Sequence, residues 1–379
     1  MSGSVTLHAV GDIGIVGRIA RELEHRPSPF PFQHVTPRLA AADIVFGNLE
    51  IPFSGGARIA AHESAGFQAP GSAAERLAAA GFHVLSLANN HIMDFGPSGL
   101  AATRRALAEH GIETVGAGAN LAEARRPLIV ERRGARIGFL AYCVPCGASA
   151  TADRAGAAPL ETALVREDLA ALKPKVDGVV VSLHFGMMYL EHPTPEDMTL
   201  ARGVVADGAD LVLGHHPHVL QGVEQKPEGS IAYSLGEFVF DPEAGNYYAR
   251  VGRETRRRSM ILRAELGSRP PRLSAPIPTV AGDDLCPRIL EGPAATEALG
   301  SIADLSAALQ DPQVRQRFWD YAGSRLLEYQ LSGIWFEIRR GRLLHLLSRL
   351  PRIRPRHLRL VLGYLRSTVS GGRGSATGR

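Results

Sequence analysis

Five short apolar runs in this chain each stop at residues able to bind a metal ion. Val5 to Val10 ends in Gly11-Asp12, Ile44 to Phe46 in Gly47-Asn48-Leu49-Glu50, and His83 to Ala88 in Asn89-Asn90-His91. Val179 to Leu183 ends in His184, and Leu211 to Leu213 in Gly214-His215-His216-Pro217-His218. Runs this short, apolar and often β-branched have the pattern of buried strands. Helical periodicities lie between them. Leu100, Ala101, Leu107 and Ala108 mark a helix over Pro97 to His110, stopped by Gly111. Met198, Ala201, Val204 and Val205 mark another over Pro195 to Asp207. The alternation predicts an α/β fold. Ligands in such folds collect beyond the carboxyl ends of the strands, so five polar clusters at five strand ends are expected to form one site.

Arg126 to Ala141 reads as a hairpin around Arg133-Gly134, and Ser230 to Val239 and Ser259 to Glu265 read as further strands. The proline-rich stretch 269–293 lacks periodicity and reads as a linker. It divides the chain into a body, 1–268, and a helical, Arg-rich extension, 294–379. Helices are expected over Ala294 to Leu309, Pro312 to Leu331, Leu343 to Leu350 and His357 to Leu365. A disordered end is expected after Gly371.

Taken singly, each polar residue has a plain structural reading. Asp12 could cap a helix or serve a turn, Glu50 could lie on the surface, and Asn89 and Asn90 are ordinary turn formers. His184 could be a core histidine with its hydrogen bonds made. His216-Pro217-His218 differs, because it places two imidazoles on one turn as a chelating pair. One such group after each of five strands shifts the reading toward metal. Carboxylate, amide and imidazole together suit Zn, Mn or Fe better than Mg or Ca. Two such ions about 3.5–4 Å apart can share a water and lower its pKa.

Six stretches, in order, resemble the motifs of the CapA family of capsule, or poly-γ-glutamate, synthesis proteins. They are Gly11-Asp12, Gly47 to Pro52, Ser86 to His91, Ser182 to Gly186, Gly214 to Gln221 and Tyr233 to Phe238. The resemblance covers residues 5 to 265. It implies the fold of the calcineurin-like metallophosphoesterases, a sandwich of two β-sheets flanked by helices. It implies that Asp12 and His218 hold a first metal, that Glu50 bridges, and that His184, His216 and the Asn90 amide complete the set. It gives His91 the catalytic role and places Asn48, His215 and Glu237 behind the ligands. The sequence departs from conventional metallophosphoesterases at Asp12-Ile13-Gly14, where Asp-x-His would supply a further histidine. It also has Phe185 for the family's usual tryptophan and Met187-Met188 where many members carry a glutamate.

The expected function is metal-dependent action in the synthesis, modification or release of poly-γ-glutamate or a related amide-linked polymer, with one or two divalent transition metals. Two other functions fit the same residues: a phosphoesterase for a small phosphate ester, and a non-catalytic assembly subunit of a polymer-synthesis complex. Free phosphate, an amide made or cut, or no turnover would separate the three.

Charge and cysteine content narrow the partners. The formal charge of +4 comes from the end of the chain, where residues 339–379 hold 11 arginines and no acidic residue. Removing those arginines from the 42 basic residues leaves 31 against 38 acidic ones. The body is therefore mildly acidic and lacks the basic stripe that nucleic acid requires. Cys143, Cys146 and Cys286 do not form a disulfide framework, and Cys143-x-x-Cys146 lacks the second pair of a zinc ribbon. No signal peptide or membrane span is legible, which reads as cytoplasmic. The family usually carries an N-terminal membrane anchor. Leucines at 343, 344, 346, 347, 350, 358, 360, 362 and 365, flanked by arginines, either pack on the acidic body or lie on an anionic membrane, polymer or synthase-complex surface.

Overall fold

The structure, a computed structural model, describes residues 3–53, 69–241, 257–267, 271–311, 313 and 362. The described strands are β1 Val5–Gly14, β2 Ile44–Leu49, β3 Val84–Ser86, β4 Glu113–Val115, β5 Ala117–Gly118, β6 Leu128–Arg132, β7 Ala135–Cys143 and β8 Gly156–Ala157. They continue with β9 Gly178–His184, β10 Leu211–His215, β11 Val223–Lys226, β12 Gly229–Ala232, β13 Glu237–Phe240, β14 Arg258–Leu266, β15 Arg272–Ala281 and β16 Pro287–Ile289. The helices are α1 Gly17–Glu22, α2 Thr36–Leu39, α3 Ala73–Ala79, α4 Gly96–Glu109, α5 Leu121–Ala124, α6 Thr162–Leu172, α7 Pro195–Ala206 and α8 Gly292–Ala308.

The strands form two main sheets, as expected. One runs β16-β15-β14-β1-β2-β3-β4, with β13 paired to the end of β1; the other runs β11-β12-β10-β9-β7-β6. Their inner faces meet through apolar side chains, with Phe46 of β2 stacked on Phe139 of β7 at 5.8 Å. Apolar residues of α1 to α4, among them Ile19, Leu39, Leu77 and Leu107, pack into the core that holds β1, β2 and β3. Residues of α6 and α7, including Val165, Leu169, Met198 and Ala201, cover the far face of β9, β10 and β12. Helix α7 starts cleanly because Thr194 and Asp197 form a reciprocal capping box, with Pro195 in the first turn.

The expected linker over 269–293 is corrected. Residues 272–281 form β15, which pairs antiparallel with β14, and 287–289 form β16. The prolines that suggested a linker lie near an edge. The part of β15 carrying Pro276 and Pro278 has β14 as ladder partner, whereas β16 pairs only Thr279 to Ala281. Edge positions tolerate residues without an N–H. The sheet therefore runs past the expected boundary at 268. Helix α8 matches the helix expected after 293; the helices expected over 312–331, 343–350 and 357–365, and the disordered end, lie outside the described residues apart from isolated positions. No helix among the described residues is long and apolar enough to cross a membrane.

Candidate metal centre

Strand β1 changes partners at the residue before Asp12. Val5 to Ala9 pair antiparallel with β14, whereas Asp12 to Gly14 pair parallel with β13. The ladder to β2 also shifts between Ala9 and Asp12. Such bulges redirect side chains and are frequent beside functional sites. Gly11 permits the change, because a Cβ there would overlap the Gly236 carbonyl oxygen. That oxygen accepts the Asp12 N–H at 2.9 Å. The Asp12 carboxylate is fully buried. Its Oδ1 accepts from Asn48 Nδ2 at 2.8 Å, and its Oδ2 from the His216 N–H at 3.1 Å. His218 Nδ1 lies 3.2 Å from Oδ2, and His215 Nδ1 3.4 Å from Oδ1.

Glu50 follows β2 and is 1% exposed. Its Oε1 lies 3.4 Å from His218 Nε2, 3.9 Å from His91 Nε2 and 4.0 Å from His184 Nε2. Its Oε2 is buried and accepts no hydrogen bond among the described residues. Donor atoms of Asp12, Glu50 and His218 lie within 4.8 Å of one another, as do those of Glu50, His184 and His216. Glu50 belongs to both triads. Asn90 reaches the second through its Oδ1, 2.8 Å from His184 Nε2. Behind the triads, Asn48 Nδ2 contacts both Asp12 and His184 Nδ1, and Glu237 Oε1 lies 3.5 Å from His218 Nδ1.

The histidine turn is held in an unusual backbone conformation. His216 has φ 97° and His218 φ 59°, in a region that side chains with a Cβ rarely adopt. Tyr189, with φ 64°, donates its N–H to the Pro217 carbonyl at 2.7 Å. Residues in such conformations cost ~1–3 kcal/mol each and cluster at functional sites.

Burial and crowding of like groups set the protonation of the cluster. Burial raises the Glu50 carboxyl to about 7, and Asp12 and Glu237 add to the rise against the opposing pull of His218. Burial opposes the charged form of His218, but Glu50, Asp12 and Glu237 lift it to about 9. Asp12, though buried, is held well below the usual carboxylate range by His215 and His218. Burial and the neighbouring His216 push His184 well down, toward the neutral imidazole that a metal takes. The buried Glu50 Oε2 has no hydrogen-bond donor among the described residues, a poor environment for a bare carboxylate. A cation would correct it, and the mixed nitrogen and oxygen donors fit transition metals.

All ten residues singled out from the sequence gather around this one locus. His91 stands on the more open side, half-buried, with Nδ1 2.9 Å from Asp94 Oδ2. The contacts with Asp12 and His218 place His215 and Glu237 against the cluster. Two participants were given no part in the site by the sequence reading: Asp94, which it did not name, and Asn89, which it read as a turn former. Asp94 binds His91, and its position three residues later in the same turn was the available signal. Asn89 donates to the Leu49 carbonyl at 2.9 Å and accepts the His91 N–H at 3.1 Å, which ties the third strand end to the second.

Fold and cluster together define a class: a two-sheet α/β sandwich with two triads of candidate metal-ligating groups joined by one carboxylate at the strand ends. The family model described as bacterial capsule synthesis protein PGA_cap matches residues 6–242, and the chain belongs to that family. The capsule biosynthesis protein CapA of Bacillus anthracis is 35% identical over 253 residues, covering 62% of this chain and 60% of that protein. The PGA biosynthesis protein CapA of Bacillus subtilis is 33% identical over 236 residues, covering 61% and 62%. The chain thus spans about three fifths of the length of these curated relatives. Among solved structures, a phosphatase from Mycoplasma pneumoniae aligns with a TM-score of 0.43 at 14% identity, covering 78% of this chain and 98% of that one.

Proposed function

We propose that the chain is a metal-dependent enzyme acting in the synthesis, modification or release of poly-γ-glutamate or a related amide-linked polymer. The observation that carries the metal part is the membership of Glu50 in both triads. Asp12, Glu50 and His218 would hold one divalent transition metal (Mn, Zn or Fe), and Glu50, His184, His216 and Asn90 a second. The polymer part rests on the family and on the names of the relatives.

Bound there, the metals would lower the pKa of a water and polarise an acyl or phosphoryl oxygen. The protein's own groups prepare the rest. Asn48 and the His216 N–H fix both oxygens of Asp12. Burial disfavours the charged form of His91, while Asp94 and Glu50 raise its pKa above the ordinary value. Asp94 at Nδ1 leaves Nε2 to face Glu50, so a proton at Nε2 is placed for transfer to a leaving group.

Metal analysis of purified protein, followed by turnover of γ-glutamyl peptides and of phosphate esters with added Mn or Zn, tests this reading. One to two metals per chain with cleavage or formation of a γ-glutamyl amide supports it. Release of phosphate alone would replace the polymer by a phosphate ester. Bound metal without turnover would favour the assembly subunit.

A further inference from the structure

Beyond the carboxyl ends of β1 and β13 stands a guanidinium whose donors are largely unused. Arg18 follows the last residue of β1 by four positions, and Asp241 directly follows β13. Asp241 is buried, and its Oδ2 accepts the backbone N–H of Arg18 at 2.7 Å. Its other oxygen lies 3.5 Å from Arg18 Nη2, too long for a well-made charge-assisted hydrogen bond. Arg18 Nε is buried and donates to no partner among the described residues, while the side chain as a whole keeps 41% exposure. Asp241 thus offsets the charge of Arg18 without filling its fork of N–H groups.

The location gives that fork a use. Phe240, next to Asp241, has its ring 5.8 Å from the ring of His218. Asp12 pairs in register with Glu237 on the same two strands. Arg18 is thus tied to the residue after Phe240, whose ring packs near His218, at the strand ends where ligands of α/β sheets bind. A planar guanidinium with free donors matches a carboxylate or phosphate, which can take two parallel hydrogen bonds. The centre itself presents the carboxylates of Asp12, Glu50 and Glu237, so an anionic substrate needs a cation beside it.

We propose that Arg18 binds an anionic oxyacid group of the substrate beside the centre, with Asp241 only offsetting part of its charge. This rests on reading the cluster as a reaction centre, and the test separates the two. Inorganic phosphate and the dipeptide γ-glutamylglutamate serve as probes, titrated calorimetrically into metal-loaded and metal-free full-length protein. Arg18→Gln should weaken the binding of one probe or both by about tenfold or more. Arg18→Lys should recover part of the loss, and Asp241→Asn should bind as tightly as wild type or tighter. Metal content should stay unchanged in all three. Loss with phosphate alone or with the dipeptide alone identifies the source of the oxyanion. Equal losses in Arg18→Gln and Asp241→Asn would make the pair a structural tie and overturn the proposal. So would wild-type affinity in Arg18→Gln, or a wild type that binds neither probe. Absence of metal would sink the centre alone, since the metal-free titrations still report on Arg18.

Discussion

Replacing His216 by glycine and, separately, by alanine isolates the strain in the histidine turn. Both variants lose the imidazole and its effect on His184, so that effect cancels in the comparison. What remains is the backbone at φ 97°. Alanine keeps a Cβ there, and conformations of this kind cost ~1–3 kcal/mol. Glycine is free of that cost but loses more chain entropy on folding, by about 0.5–1 kcal/mol. Taken at the middle of the two ranges, the difference leaves the glycine variant more stable by about 1 kcal/mol. The assay is urea or thermal denaturation with a chelator present, so that metal linkage contributes nothing. A gap of this size moves the midpoint by a few degrees at most in a chain this long, at roughly 2–4 °C per kcal/mol for 150–250 residues. Adding divalent metal should stabilise wild type relative to both variants, because a ligand at 100 times its Kd stabilises the native state by about 2.7 kcal/mol. An alanine variant as stable as the glycine variant in chelator would refute the reasoning.

Other consequences can be measured directly. Glu50→Gln should empty both metal positions, whereas His216→Ala should lose chiefly the one shared with His184; metal content by mass spectrometry distinguishes them, and equal losses would break the shared-ligand assignment. His91→Asn should slow turnover by about 10²–10⁴-fold with metal retained, and Asp94→Asn should slow it less while shifting the pH profile; parallel loss of metal and rate would make His91 a ligand. Gly11→Ala should destabilise the fold strongly, since its Cβ meets the Gly236 backbone, and an unchanged midpoint would show that β1 and β13 can separate. Glu224, though burial acts upward on it, is held below the usual carboxylate range by Arg202, Tyr233 and Gln310. Its contribution is present above the unfolded value near 4.3 and is lost as pH falls through the depressed folded value, so Glu224→Gln should unfold with a shallower acid dependence than wild type. Finally, if the Arg-rich segment carries the protein to anionic surfaces, truncation after Ile338 should abolish salt-sensitive co-sedimentation with anionic vesicles, and equal binding by both forms would end that idea.

The strand ends were legible because buried parallel strands leave an apolar run and a polar stop. Asp12, Glu50 and His184 each announce themselves that way. The histidine pair was legible from spacing alone. Other features left weaker marks. Strand β15 was hidden by Pro276 and Pro278, whose sequence signal reads as a loop although an edge accepts them. The partner change in β1 had a residue, Gly11, but no pattern, because a bulge depends on strands more than 200 residues away. The left-handed conformations of His216 and His218 were invisible, since histidine gives no local sign of positive φ. Arg18 and Asp241 meet across 223 positions, a separation that one sequence cannot bridge.

The partner change in β1 also dictates when the centre can come into being. Asp12 precedes its partners by more than 200 residues, and its position is set by β13 and by β14, which ends at Leu266. Closing loops of that length before any contact rewards them is entropically costly, and such pairings form late. A nascent chain that has not yet released residue 266 therefore carries the five strand-end motifs without a place for a metal. A metal held by these groups would therefore load onto the finished sandwich, as a final lock on it rather than as a template for folding.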